Sequence, residues 1–260
     1  MGALFAVYKR EVALYFKSFI AYGITFAIMI LMGILFQLQL GDVFRIVQTG
    51  QQVPAGANAA NLSIGLLSTF VFLLFVVSPV LVMRLLSEES REGTLELLMT
   101  LPMSDWVFVL GKFLAAWTFY TFLLALTLIH VYLLSLLGPI NMGVIWVAYF
   151  GAWLYGGTTM AVCMIWSAIT DDQLVAAFLG VTTVLALFLA SNIGDIYEGS
   201  NLLTAGAAQF VRELGLATHY QSTMLQGLLR AEDVAYFVLM IVVSLFITTL
   251  IVGTRRWRAS

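Results

Sequence analysis

Six apolar runs, each about the length of a bilayer crossing, leave this chain few folds to choose from. They are Phe19 to Leu40, Leu62 to Leu86, Trp106 to Leu137, Val144 to Ile169, Leu174 to Ile193 and Val234 to Gly253. A helix needs about 20 residues to cross the hydrocarbon core. Backbone N–H and C=O groups find no water there, so an apolar span must satisfy them internally as a helix. The chain is 62% hydrophobic and 10% charged, where soluble domains are near half apolar and about a quarter charged. The expectation is an all-α integral membrane protein with six transmembrane helices. The formal charge of -2 says nothing about nucleic acid, which is not among the expected partners, and the surrounding partner is membrane lipid. The single cysteine, Cys163, forms no internal disulfide and is read as packing.

Between the runs lie the parts that meet water. Residues 1–18 read as an amphipathic helix at the interface, with Leu4, Val7, Tyr8, Leu14 and Tyr15 toward lipid and Lys9, Arg10, Glu11 and Lys17 toward water. The positive residues precede a full-length span with no small-residue cleavage site, which predicts that the first span is retained. Residues 41–61, rich in Gly, Gln and Asn, read as a loop. Pro79 predicts a kink near the end of the second span. Gly151, Gly156 and Gly157 mark places where helices come close, and 170–173 form a very short connection. The polar interval before the sixth span holds two short amphipathic helices, around 201–229, and residues 254–260 form a basic tail.

Cation counts at the span ends set the orientation. Lys9, Arg10, Lys17, Arg84, Arg91, Lys112, Arg255, Arg256 and Arg258 share one side, against Arg45, Arg212 and Arg230 on the other. This predicts cytoplasmic termini and an outward-facing 201–229 segment. Short loops suit the bacterial plasma membrane.

Chemistry is sparse. The only Gly-Lys pair, Gly111-Lys112, is followed by Phe113 and opens a span, so it is no Walker A loop. HExxH, GxSxG and clustered His or Cys residues are absent, and His130 and His219 lie far apart. A lone membrane histidine reads as a helix–helix hydrogen bonder. The spans carry no deep carboxylate for ion coupling. The chain is expected to be no enzyme, and any transport must draw energy from elsewhere.

The densest charge lies between the second and third spans, in LSEESREGTLELLMTLPMSDWVFVLGK from Leu86 to Lys112. Ser87 to Met99 reads as a short helix, with Leu95, Leu98 and Met99 on one face and Glu88, Glu89, Glu92 and Glu96 largely on another. Pro102 and Ser104 stop it and cap the next helix. The segment Glu89, Arg91, Glu92, Gly93-Thr94-Leu95-Glu96, Leu101-Pro102-Met103-Ser104 and Gly111-Lys112 resembles the permease subunits of the type-2 ABC exporter family. The likeness is to the branch with gliding-motility and nitrous-oxide-reductase maturation permeases. The stretch from Gln226-Gly227 to Tyr236-Phe237 looks similar too, and the likeness covers nearly the whole chain.

The resemblance implies a type V exporter-like half, with an N-terminal connecting helix (1–18), a six-helix domain (19–253) and a cytosolic coupling helix (87–99). It implies a separate ABC ATP-binding subunit, which carries ATP and Mg, and a second permease half as homodimer or heterodimer. Contact with the ATPase is assigned by position to Arg84 and to Ser87, Glu88, Glu89, Arg91, Glu92, Gly93, Thr94, Leu95, Glu96, Leu97 and Leu98. Asp171 and Asp172 are a second, smaller contact or a cap on the fifth span. The 201–229 helices are re-entrant or interfacial. Polar Ser63, Ser68, Thr69, Ser78, Thr182 and Thr183 line a path between halves or serve as glue between helices. The competing reading is a membrane anchor or assembly scaffold that binds a soluble complex without transport.

Overall fold

The computed structural model describes residues 2–49, 59–91, 104–197 and 205–259, and every element within them is helical. In chain order these are α1 (Ala3–Lys17), α2 (Phe19–Gln48), α3 (Ala59–Val82), α4 (Arg84–Arg91), α5 (Asp105–Ser135), α6 (Met142–Ile169) and α7 (Gln173–Tyr197). Then come α8 (Ala205–Leu214), α9 (Leu216–Gln221), a 3₁₀ turn (Met224–Gln226) and α10 (Ala231–Ala259). Six helices are long and apolar enough to cross a membrane, so the chain is a multi-pass membrane protein. The spans are α2, α3 continued by α4, α5, α6, α7 and α10.

Helix α6 is the hub. Its most apolar window is 78% buried, against 22–50% for the others, and at 1.3 it has the lowest mean hydropathy of the six. Glycines let neighbouring rings reach its backbone. A Cβ on Gly156 would lie 2.2 Å from the Tyr120 ring, and one on Gly157 would lie 2.8 Å from Trp117. Tyr120 Oη donates to Ala152 O at 2.6 Å, and Trp117 Nε1 donates to Trp153 O at 3.1 Å. Each aromatic thus packs on a bare stretch of helix and also satisfies its polar atom there. Gly151 does the same for Met224 and Tyr220. All three expected close approaches are present.

Several boundaries differ from the sequence reading. Helix α2 runs on to Gln48, because Gly41 to Gln48 contains no proline and continues the helical ladder. Helix α10 likewise extends through the basic tail to Ala259. Its Gly253 lies near Asp105 at the start of α5, and α1 packs beside the same start. Both chain ends therefore share the end of the bundle that bears α4.

Helix α1 runs alongside the first half of α5. Val7 meets Gly111, Tyr15 stacks on Phe119 with ring centroids 5.3 Å apart, and Phe16 meets Phe122. Glu11, expected toward water, instead lies on this packed face and is 5% exposed. The reason is spacing. Positions 4, 7, 8, 11 and 15 form one helical stripe, and α5 supplies a cation opposite the fourth of them. Lys9, Arg10 and Lys17 do face outward, as does Leu14.

Candidate functional site: the α4 end of the bundle

Helix α3 ends three residues after Pro79, which cannot donate to the preceding turn. Met83 is a one-residue break, and α4 begins at Arg84. The break is held open by α6. Ser167 Oγ accepts from Leu86 N at 3.1 Å and Ser87 N at 3.2 Å, and donates to Met83 O at 3.0 Å. Ser87 Oγ also donates to Met83 O. A hydroxyl from another span has thus been inserted into the ladder, a recognised cause of sharp kinks. Met83 O and the Leu86 and Ser87 N–H groups are satisfied by these bonds, and α4 continues the α3 span past the break.

The inner face of α4 carries a buried ion cluster. Lys112 Nζ, on α5, lies 3.1 Å from Glu11 Oε1 and 2.9 Å from Glu89 Oε1. The side chains of Lys112, Glu11 and Glu89 are only 2%, 6% and 11% exposed. An ammonium has three donors. Two meet carboxylates, and the Phe108 ring lies 5.2 Å from the nitrogen. Arg10 approaches Glu89 at 3.8 Å, which brings two cations to two anions. One residue from each of α1, α4 and α5 thus meets at a single nitrogen.

Further ties surround it. Arg84 Nη2 donates to Ser18 Oγ at 3.1 Å, at the α1–α2 junction, and pairs loosely with Glu88 at 3.8 Å. Ser90 Oγ donates to Asp171 Oδ1 at 2.5 Å. Asp172 Oδ1 accepts from Leu174 N at 2.8 Å and Val175 N at 3.3 Å, so it caps α7. Tyr15 Oη donates to Leu81 O at 2.7 Å. Burial pushes the Tyr15 phenol above its ordinary range, and the nearby Glu11 carboxylate adds to this, so the hydroxyl stays a donor.

These contacts sort the residues assigned to a partner surface. Arg84, Glu88, Arg91, Asp171 and Asp172 keep open surface. Ser87 and Glu89 do not: Ser87 is fully buried at the break, and Glu89 is turned inward to Lys112. Glu92, Gly93, Thr94, Leu95, Glu96, Leu97 and Leu98 lie outside the described residues, as do Asn201 to Thr204 of the later segment. Glu11, Lys112 and Ser167 were not singled out as site residues from sequence. The available signal was a charge on the apolar stripe of α1 and another inside the first turns of a span.

The polar residues considered for a path are mostly engaged. Ser63 Oγ donates to Ala59 O, and Thr69 Oγ1 donates to Gly65 O. Ser78 Oγ and Thr159 Oγ1 share a buried 2.8 Å hydrogen bond between α3 and α6. Thr183 Oγ1 accepts from Trp166 Nε1 at 2.9 Å and bonds back to Leu179 O. Ser68 is half-buried. Thr182 is exposed, its hydroxyl bonded to Phe178 O. His130 Nδ1 lies 3.3 Å from Thr127 O, within its own helix. Among the described residues no group of His, Cys, Asp and Glu is arranged to hold a metal.

No protein-family model matches this chain, and no curated protein is significantly similar to it in sequence.

Proposed function

We propose that this chain is the transmembrane permease subunit of an ATP-driven ABC exporter. In this reading it is a type V exporter-like half, with both termini in the cytoplasm of a bacterium. Hydrolysis of ATP with Mg takes place on a separate ATP-binding subunit. This chain converts that subunit's motion into substrate movement or mechanical work across the plasma membrane. The reading rests on the segment from Glu88 to Lys112 and on one structural observation, the manner in which α4 is attached.

Helix α4 is jointed to its own span yet tied to several neighbours. Ser167 keeps the joint with α3 open. Lys112 ties α4 to α1 and α5, Arg84 ties it to the α1–α2 junction, and Ser90 ties it to the α6–α7 turn. A push on its open face is therefore shared among α1, α5, α6 and α7, as hinge and shear transitions require. A static anchor has no need of such a joint, so this reading is preferred to the scaffold. Arg84, Glu88 and Arg91 form the rim that meets the ATPase, and the resemblance assigns Glu92 through Leu98 to the same contact. Charges at such a rim set orientation and encounter rate more than affinity. A second permease half packs on α3 and α7, whose outward faces carry Phe72, Val76, Phe178 and Thr182.

The test is co-purification with candidate ATP-binding subunits, followed by ATPase activity in lipid. A stable complex is expected, its ATPase altered by this chain. Arg91→Glu and Glu92→Lys should weaken that response and leave the melting temperature of the bundle unchanged. Wild-type coupling in both reversals rules out the assigned surface. No complex with any ATP-binding subunit leaves the scaffold as the better account.

A further inference from the structure

At the end of the bundle opposite α4, the chain folds two short helices back against its spans. Gly215 makes the corner between α8 and α9. A Cβ there would lie 2.1 Å from Ser191 Oγ and 2.6 Å from Ser191 N, so the corner rests directly on α7. Ser191 Oγ accepts from Thr218 N at 3.0 Å, and Tyr236 Oη of α10 donates to Leu214 O at 2.8 Å. These contacts are neutral. The remaining one is not.

His219 of α9 stacks on Tyr236 at 3.9 Å between ring centroids. Its Nδ1 lies 2.8 Å from Asp233 Oδ1 and its Nε2 lies 3.0 Å from Glu213 O. Both partners are acceptors: one is a carboxylate and the other a backbone carbonyl. A neutral imidazole carries one N–H, so it can satisfy only one of them, and the other nitrogen then sets a lone pair against oxygen. The doubly protonated ring satisfies both. Its charge also answers Asp233, which is 4% exposed and whose Oδ2 has no hydrogen-bond partner among the described residues.

Of the other groups around the ring, the Glu213 carboxylate favours the same state, the aromatic rings are neutral and the Arg212 cation does not favour it. Glu213 Oε2 of α8 lies 3.7 Å from Nε2. Tyr236 of α10 presents its ring face, Phe237 of α10 meets the imidazole edge-on, and Tyr155 of α6 packs against Phe237 and Tyr220. Arg212 is the neighbouring cation of α8, and its carbonyl accepts from Thr218 Oγ1.

We propose that His219 is a proton-operated latch that clamps α8 and α9 onto the start of α10 when charged and releases them when neutral. The sign follows from the contacts. The clamp gains from the doubly protonated ring, because only that ring donates to both acceptors, and the ring with one N–H gives up one of the two bonds. Imidazoles are the side chains that ordinarily change charge between about pH 5 and 8. The latch therefore senses acidity on its own side of the membrane. This inference does not depend on the ABC reading.

The test is hydrogen exchange of peptides covering 205–226, measured on the full chain in lipid from about pH 5 to 8 and corrected for intrinsic rates. Peptides from the middle of α6 serve as the internal standard. Losing one charge-assisted hydrogen bond should raise local opening about tenfold or more across the window. His219→Gln should exchange at a pH-independent rate, and Asp233→Asn should flatten the profile. Histidine ¹⁵N shifts provide a second readout, which should show two N–H groups at the acid end. PH-independent protection in the wild type overturns the proposal, as does an undiminished profile in His219→Gln. So does a singly protonated ring at the acid end.

Discussion

Replacing Lys112 with methionine isolates what the buried ion cluster does. The substitution keeps the length and apolar stem of the side chain and removes only the charge. It leaves Glu11 and Glu89 facing the emptied position with side chains 6% and 11% exposed. Removing one partner of a buried ion pair costs about 3–5 kcal/mol, because the remaining charge stays desolvated. The lost contact with the Phe108 face adds about 0.5–2 kcal/mol, so the stranded carboxylates dominate. At ~2–4 °C per kcal/mol for a chain of this size, the melting temperature in lipid nanodiscs should fall by roughly 7–28 °C. The same arithmetic predicts a rescue. Adding Glu11→Met and Glu89→Met removes every stranded charge, and buried ion groups replaced by apolar residues of similar volume are often neutral or stabilising. The triple variant should therefore recover most of the loss. A drop of under about 2 °C in Lys112→Met, or a triple variant no more stable than the single, refutes the reasoning.

Two further perturbations address the joint and the hub. Ser167→Ala orphans Leu86 N and Ser87 N, at about 1–3 kcal/mol for each buried donor left unsatisfied. Hydrogen exchange at 84–90 should accelerate at least tenfold, and an unchanged rate shows that the joint does not depend on the hydroxyl. Gly156→Ala forces a methyl onto the Tyr120 ring, which is fully buried and tethered to Ala152 O. Overpacking of this kind costs about 1–3 kcal/mol. Gly23→Ala, with no other described residue within 4 Å of the added methyl, is the control. Equal melting temperatures for the two alanine variants contradict the packing described at α6.

How much of this was legible depends on the range of each interaction. The six spans followed from apolar length alone. Gly151, Gly156 and Gly157 flagged close approach, because a missing side chain in a span has few other uses. The cap at Asp172 was readable because its partners are its own next residues. The ion cluster was not, because Glu11 and Lys112 are 101 residues apart in sequence and nothing local pairs them. From sequence, Glu11 reads as a water-facing charge of the interfacial helix and Lys112 as a cation at a span end. Glu89 was assigned to an exposed face because helical spacing sorts residues into faces without saying which face the bundle covers. The insertion of Ser167 was equally hidden, since a serine near the end of a span is unremarkable until the broken ladder opposite it is seen. Pro79 did point to a kink, but not to the partner that holds it.

The position of α6 bears on how such a chain can be made. The span most enclosed by protein is also the one whose own residues favour lipid least, at a mean hydropathy of 1.3 against 2.3 or more for four of its companions. Its glycines and threonines suit helix contact better than acyl chains. During synthesis this segment leaves the ribosome after α5 and before α7, with the weakest claim on the bilayer by itself. Its residence in the membrane is a collective property: the earlier spans must wait beside it, and the last one must close over it.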